Sequence, residues 1–579
     1  LLFVQQCPDY GCLQMKLYIE RPYLLSLVDR FPELDGLLDQ LRFGARAEAS
    51  FQRFTLTQLE FLSSLYNRAG SEMTLQAAQI NTLTKALSKD NKRYRESELE
   101  SLVPDLIGYL LNEGIRGWLF KGNAEGKPLP FVVSRIDFSP PGEEESGRVL
   151  LDLKANAMGK LQSVSLMILE RDIVGYSLPE ILAAKGFFKE TIELMAAYDR
   201  SNQRYFELRA CTGHQFVGQG TGIYADDPTV SHRNTDWSRK SRIVLSSSGE
   251  RARMVNDEEI IKDRSLEFET SGDVLAKYLR KAGRSTHYND RIEAQVEAVR
   301  DDIPQLMFTE VPVHGYMLMF HLELHHHIWV HVDDVELYEY KPQLKEKLVL
   351  PPEQTDLIDI LTAEMDVLMD DVVQGKSGGT TVLCAGPPGV GKTLSAEVYS
   401  EVIRRPLYRV HSGQLGLNVV EMEQALKSTL IRAQRWGAVM LIDEADVYIK
   451  RRDDNIAANA VVGVFLRVLE YFNGLLFMTT NRVDDIDEAI VSRCIALIKY
   501  RPPNAADRLK IWQVMVQQFQ LQVPHQLVEE LVEVFPSACG RDIKGLVKLV
   551  AKFCQHKSVE PSLDVFRQCS VFRGMEVGR

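Results

Sequence analysis

Thr381-Val-Leu-Cys-Ala-Gly386-Pro-Pro-Gly-Val-Gly-Lys392-Thr393 is the stretch that decides the fold. Strand-forming residues from Thr381 to Ala385 run into a glycine-rich turn, then into a helix-forming run, Leu394 to Arg404. Strand, glycine-rich loop and helix in that order are what a phosphate-binding loop requires. Gly386, Gly389 and Gly391 let the backbone curl so that several N–H groups face one anion. The helix that follows points its positive dipole end at the same spot. Lys392 brings charge to the outer phosphates, and the Thr393 hydroxyl is placed to ligate Mg²⁺. Pro387, Pro388, Val390 and Leu394 complete the cradle.

The other half of such a site follows. Ala438-Val-Met-Leu-Ile442-Asp443-Glu444 reads as a buried parallel strand that carries two acids at its C-terminal end. Asp443 is placed to hold Mg²⁺ through its water shell, and Glu444 to polarise the water that attacks a γ-phosphate. A further strand, Leu475 to Thr480, ends in Asn481, whose amide suits both that water and a γ-phosphate oxygen. Arg493 follows on a short helix, awkwardly placed for its own site but within reach of the next subunit of a ring. An arginine given in trans makes hydrolysis depend on assembly, and such fingers carry factors of about 10³–10⁵ in rate. Gly540-Arg541-Asp542-Ile543 opens a helix in a helical region over 507–572, where Arg541 is placed to swing onto the phosphates.

At 579 residues the chain has room for about three or four domains. A net charge of −12 argues against broad nucleic-acid binding, without excluding a local basic patch such as Lys450-Arg451-Arg452. Eight cysteines without paired spacing point to a reducing, intracellular and cytoplasmic setting. No apolar run is long enough to span a membrane. The start, LLFVQQCPDYGC, has neither Met nor a basic region and reads as a trimmed or incomplete terminus rather than a signal peptide.

Residues 1–115 read as helical, with helices around Pro22–Phe43, Thr55–Asn67 and Leu99–Leu111, the last behind a Ser97-x-x-Glu100 capping box. From 116 to 340 the pattern turns β-rich, with strands at Trp118–Phe120, Leu129–Val133, Val149–Leu153 and Ser163–Leu169 and a helix near Phe187–Tyr198. Gly218-x-Gly220-x-Gly222 lacks the strand-to-helix context of a nucleotide site. Arg239, Lys240 and Arg242 read as a solvated face. If Gly315–Tyr340 were one straight strand, His321, Glu323, His325 and His327 would share a face and suit zinc. An exposed hairpin is the preferred reading, since no fourth ligand is identifiable. Pro342–Pro352 reads as a linker before a helix at Glu353–Val373.

GPPGVGKT, AVMLIDEAD, LLFMTTNR, Ser492-Arg493-Cys494 and GRDIK together resemble an AAA+ ATPase module over residues 345–572. GERARMVNDEEI (249–260), WVHVDDV (329–335) and LVLPPEQ (348–354) are similar, more loosely, to the β-containing leader domain of one AAA subfamily. The resemblance implies an α/β fold with a parallel sheet flanked by helices over 341–500 and a helical lid over 501–579. It implies ATP and Mg²⁺ as cofactors, a homo-oligomeric, hexameric ring, and remodelling of a protein partner gripped through residues 1–340. Two positions depart from the pattern. The stretch matching the central pore loop, Ser412 to Asn418, has no aromatic, and the usual second arginine after Arg493 is replaced by Cys-Ile-Ala. Two other classes stay open. One is a clamp-loader- or helicase-like nucleic-acid ATPase, since Asp443 to Asp446 spells DEAD; the other is a slowly turning assembly switch.

Overall fold

A computed structural model describes residues 16–42, 45–69, 73–88, 91–142, 145–225, 242–245, 251–261, 307–308, 310–363, 379–415, 419–452 and 456–575. The first part is not purely helical, against expectation. β1 (Lys16–Glu20) and β2 (Arg46–Ser50) pair antiparallel, because Leu17 and Ile19 alternate onto the buried face that Ala47 and Ala49 also line. The helix expected over 22–43 divides into an α-helix at Arg21–Arg30 and a 3₁₀ run at Pro32–Arg42. Pro32 bars Phe31 from helical geometry, and Phe31 accordingly sits at φ −130°, ψ 80°. Leu56–Arg68 forms as expected, opened by a capping box in which Thr55 and Gln58 exchange side-chain-to-backbone hydrogen bonds of 2.9 and 3.4 Å. The helix expected from Leu99 starts later, at Leu102, and Ser97 does not cap it. Glu98 instead accepts the Arg95 N–H at 2.7 Å across a preceding 3₁₀ turn.

β3 (Trp118–Lys121), β4 (Pro130–Ser139), β5 (Arg148–Ala157), β6 (Lys160–Leu169) and β7 (Phe187–Lys189) make an antiparallel sheet in the order β6-β5-β4-β3-β7. The helix expected from Phe187 begins only at Ile192 and runs to Arg209. Phe187 and Phe188 are drawn into the sheet edge instead, opposite Lys121 and Phe120, where both rings are buried. Behind this sheet His314 donates from Nε2 to the Pro130 carbonyl at 2.8 Å, and burial pulls its pKa down to about 4, so the ring is neutral.

A second antiparallel sheet holds β8 (Gln215–Gly218), β9 (Thr221–Tyr224), β10 (Arg242–Val244), β11 (Ala252–Asn256), β12 (Tyr316–His321), β13 (His326–His331) and β14 (Val335–Leu337). Its order is β10-β9-β13-β12-β11-β8-β14. The glycine triplet lies in β8, β9 and the turn between them; Arg239 and Lys240 lie outside the described residues. The histidine run is a hairpin and not one straight strand, so the alternation that would align four ligands is broken at the turn. His321 Nδ1 accepts the Glu323 and Leu324 N–H groups at 3.3 and 3.2 Å and closes that turn. His327 turns to Asp257, and His325 sits in the left-handed region at φ 54° beside Tyr408. No cluster of three or more metal-ligating side chains exists among the described residues.

After a helix at Pro352–Ala363, whose expected continuation lies outside the described residues, comes an all-parallel sheet. It contains β15 (Thr380–Ala385), β16 (Leu407–His411), β17 (Val439–Asp443), β18 (Leu475–Thr480) and β19 (Ala496–Lys499), ordered β16-β17-β18-β15-β19. Near-continuous apolar strands such as VMLI in β17 bury both faces, as parallel strands between helices must. Helices Ala505–Gln518, His525–Val534, Gly540–Lys557 and Leu563–Val571 pack around Trp512 as a separate helical unit. No described helix is long and apolar enough to cross a membrane.

The second antiparallel sheet and the parallel sheet share one core, in which Val255, Phe320 and Leu322 pack with Tyr408, Trp436 and their neighbours. At its centre the Asp257 side chain is fully buried. It accepts Arg435 Nε and Nη2 at 2.9 and 2.6 Å and Trp436 Nε1 at 2.7 Å, and His327 Nε2 lies 2.8 Å away. Removing one partner of such a network strands a buried charge, so Asp257→Ala should lower the unfolding free energy by about 3–5 kcal/mol. Chemical denaturation checks this; a change below about 1 kcal/mol would show the contact to be dispensable.

Candidate nucleotide-binding site

The strand ends bring the predicted residues to one edge. Parallel pairing sets Ala385 opposite Thr480, and His411 opposite Asp443, so the loop after β15 and the acids after β17 open into the same cleft. That cleft encloses about 1550 Å³. Pro388, Gly389, Val390, Gly391, Lys392, Thr393, Leu394, Asp443, Glu444, Asn481 and Arg541 all line it.

The loop is built on backbone conformations that suit glycine. Gly391, at φ 100°, caps the helix Lys392–Val402. Gly389, at φ 82°, lies so close to the next unit that a Cβ there would meet Cys539 Sγ at 2.5 Å and Arg541 Cβ at 3.0 Å. The Gly389 carbonyl accepts the Arg541 N–H at 3.3 Å, tying the loop to the head of the helix Gly540–Lys557. Gly386 and Pro387 engage the lysine of the loop through their backbone. Neither lines the cleft; their carbonyls accept Lys392 Nζ at 2.6 and 2.7 Å. Lys392 Nζ also donates to Asn481 Oδ1 at 3.0 Å. Burial holds its ammonium below the usual lysine range, with Asp446 acting in the opposite direction.

Asp443 is the hub. Its Oδ1 accepts the hydroxyls of Thr393 at 3.0 Å and Thr479 at 2.5 Å, and its Oδ2 accepts Arg409 Nη2 at 2.5 Å. Burial alone would raise its pKa; the Thr479 and Thr393 hydroxyls and the Arg409 guanidinium outweigh it and hold the carboxyl below the usual range. Glu444, next along, is exposed and sits in the left-handed region at φ 55°, a costly conformation for this residue type that turns it away from the strand line. Its N–H donates to Thr479 Oγ1 at 3.0 Å. Asp446 accepts the Asn481 N–H at 3.2 Å and the Thr480 hydroxyl, fixing the tip of β18.

Thr479, Asp446 and Arg409 are members of the site that the sequence reading missed. The first two stood inside the recognised stretches, TTN and DEAD, but their hydrogen bonds span the sheet. The donor set suits the implied cofactors. Thr393 and Asp443 offer hard oxygens side by side for Mg²⁺, and the loop offers N–H groups, a lysine and a helix N-terminus for phosphates. Arg493 stands apart from these. It does not line the cleft, pairs with Glu470, and donates from Nη1 to the Ala489 carbonyl at 3.1 Å.

The family model described as "ATPase family associated with various cellular activities (AAA)" matches residues 382–501, which contain this constellation apart from Arg541. Residues 382–501 form an AAA ATPase domain. An uncharacterized AAA domain-containing protein of Schizosaccharomyces pombe is 32% identical over 192 residues, covering 31% of this chain and 24% of that protein. Fidgetin-like protein 1 of Drosophila melanogaster is 27% identical over 31% of this chain and 35% of its own length. A putative 26S proteasome regulatory subunit homolog of Methanocaldococcus jannaschii is 29% identical over 31% of this chain and 51% of its own. The chain thus spans about half or less of the length of these relatives.

Gly389→Ala should weaken nucleotide binding more than about tenfold, since Cβ crowding and positive φ act together; calorimetric titration reads this, and unchanged affinity would show that the loop re-forms. Asp443→Asn should cost stability at neutral pH. Because the native pKa is depressed, that difference should persist above the ordinary carboxylate value near ~4 and vanish as pH falls through the lower native value. Paired melts across acid pH check the sign.

Proposed function

We propose that the chain is a magnesium-dependent ATP hydrolase that assembles into a hexameric homo-oligomeric ring. It remodels a protein or protein complex held through residues 1–340. The observation that carries hydrolysis beyond mere binding is the convergence of Lys392, Thr393, Asp443, Glu444 and Asn481 on one cleft. In this reading Glu444 polarises the attacking water, and Asn481, held by Asp446 and touching Lys392, orients it. Lys392 releases the loop carbonyls to meet the outer phosphates, and Arg541 carries the nucleotide state to the helical unit. Magnesium, held by Thr393 and Asp443, supplies charge neutralisation on the polyphosphate.

The ring is supported by the place of Arg493. It lies outside its own cleft on a surface where Tyr471 and Ile495 are 67% and 63% exposed. An arginine beside exposed apolar side chains suits a neighbour's cleft, where it would act in trans. Action on proteins agrees with the name of the proteasome-subunit homolog matched above. Free thiols at Cys211, Cys384, Cys494, Cys539, Cys554 and Cys569 suit the reducing cytoplasm, where we place the protein.

Particle mass measured with and without ATP on the Glu444→Gln protein tests the ring. A closed ring formed with ATP is expected; a monomer under both conditions overturns the proposal. In the assembled protein, Arg493→Ala should bind ATP normally and lose about 10³-fold or more in turnover. Normal turnover would remove the trans role.

A further inference from the structure

We infer that Arg409 competes with magnesium for Asp443, and that Glu397 is the seat to which the guanidinium moves when the metal is bound. The inference rests on the nucleotide-site reading above and concerns what sets its metal affinity.

Arg409 lies on β16, paired in register with Leu441, two residues before the His411–Asp443 pair at the strand ends. From there its side chain runs toward the cleft and places Nη2 at 2.5 Å from Asp443 Oδ2. The other oxygen of Asp443 is already shared by the hydroxyls of Thr393 and Thr479. A magnesium ion held by Thr393 and Asp443 therefore meets a carboxylate whose remaining oxygen carries a charge-assisted hydrogen bond. Two cations facing one carboxylate repel each other, so the metal must displace the guanidinium or bind more weakly.

Displacement has a ready destination. Arg409 Nη1 is 3.5 Å from Glu397 Oε1, and Glu397 stands one turn after Thr393 on the helix Lys392–Val402. Asp443 is almost fully buried, whereas the Arg409 and Glu397 side chains are 40% and 43% exposed, so these two can rearrange without opening the core. The Arg409 Nε is buried without a hydrogen-bond partner among the described residues, so the guanidinium is not fully anchored where it is. A strut that merely joined two strands would not need a second carboxylate placed beside it.

The test is a magnesium titration of the full-length chain bound to a fluorescent ADP, at constant ionic strength. The midpoint is read from the nucleotide signal and needs no turnover. Arg409→Gln should lower the magnesium midpoint by about threefold or more, the loss of one charge-assisted competitor. Arg409→Lys, which keeps the charge, should stay within about twofold of the wild type. Glu397→Gln should raise the midpoint, and much less so when Arg409 is already Gln. Thermal melts confirm that each variant is folded. Fluorescent ADP binding with an unchanged or raised midpoint in folded Arg409→Gln overturns the competition while leaving the nucleotide site intact. A wild-type chain that binds no nucleotide, in magnesium or in EDTA, overturns the nucleotide-site reading and the competition with it.

Discussion

The in-register ladder of parallel strands is the constraint on which the site depends. Hydrogen bonding along β17, β18 and β15 fixes the register, because a slip by one residue would turn every side chain to the opposite face of the sheet and undo the packing on both. Because all of these strands run the same way, their C-terminal ends fall on one edge. The loop after β15, the acids after β17 and the amide after β18 meet there by geometry alone. A change of register by one residue would turn Asp443 away from Thr393 and break the 3.0 Å contact at the centre of the cleft.

Electrostatics then sets how the edge behaves. Burying a carboxylate costs free energy unless its oxygens are satisfied, and Asp443 meets this with two hydroxyls and a guanidinium. Lys392 is satisfied in the same way, by two loop carbonyls and Asn481. These partners hold both groups in place at the edge of the cleft. The Glu444 backbone stores strain at the same edge, where a rigid sheet on one side can support it.

One strand outside the AAA domain touches two of its helices. Arg253 on β11 lies 3.4 Å from Glu401, on the helix that follows the phosphate loop, and Glu401 also accepts Tyr338 Oη at 2.7 Å and the Lys341 N–H at 2.9 Å. Asp257, just past the end of β11, holds Arg435 and Trp436, which close the helix leading into β17. The antiparallel sheet is thus joined to both halves of the nucleotide site through polar contacts, buried at Asp257 and partly exposed at Arg253.

The phosphate loop, the acidic strand end, the polar tip at Asn481 and the parallel sheet were legible from the chain because each is dictated locally. A glycine conformation, an unbroken apolar run or a polar strand tip is written in adjacent residues. The β1–β2 pair and the strand at Phe187 were misread because pairing partners, rather than local pattern, decide short strands. Arg409, Asp446 and Asp257 were invisible for a related reason: each acts on a residue 34, 35 or 178 positions away. The sequence by itself determined which chemistry this protein carries, since backbone shape and side-chain type are local properties. Only the tertiary structure decided which charges face one another, because a contact between distant residues exists only once packing has brought their elements together.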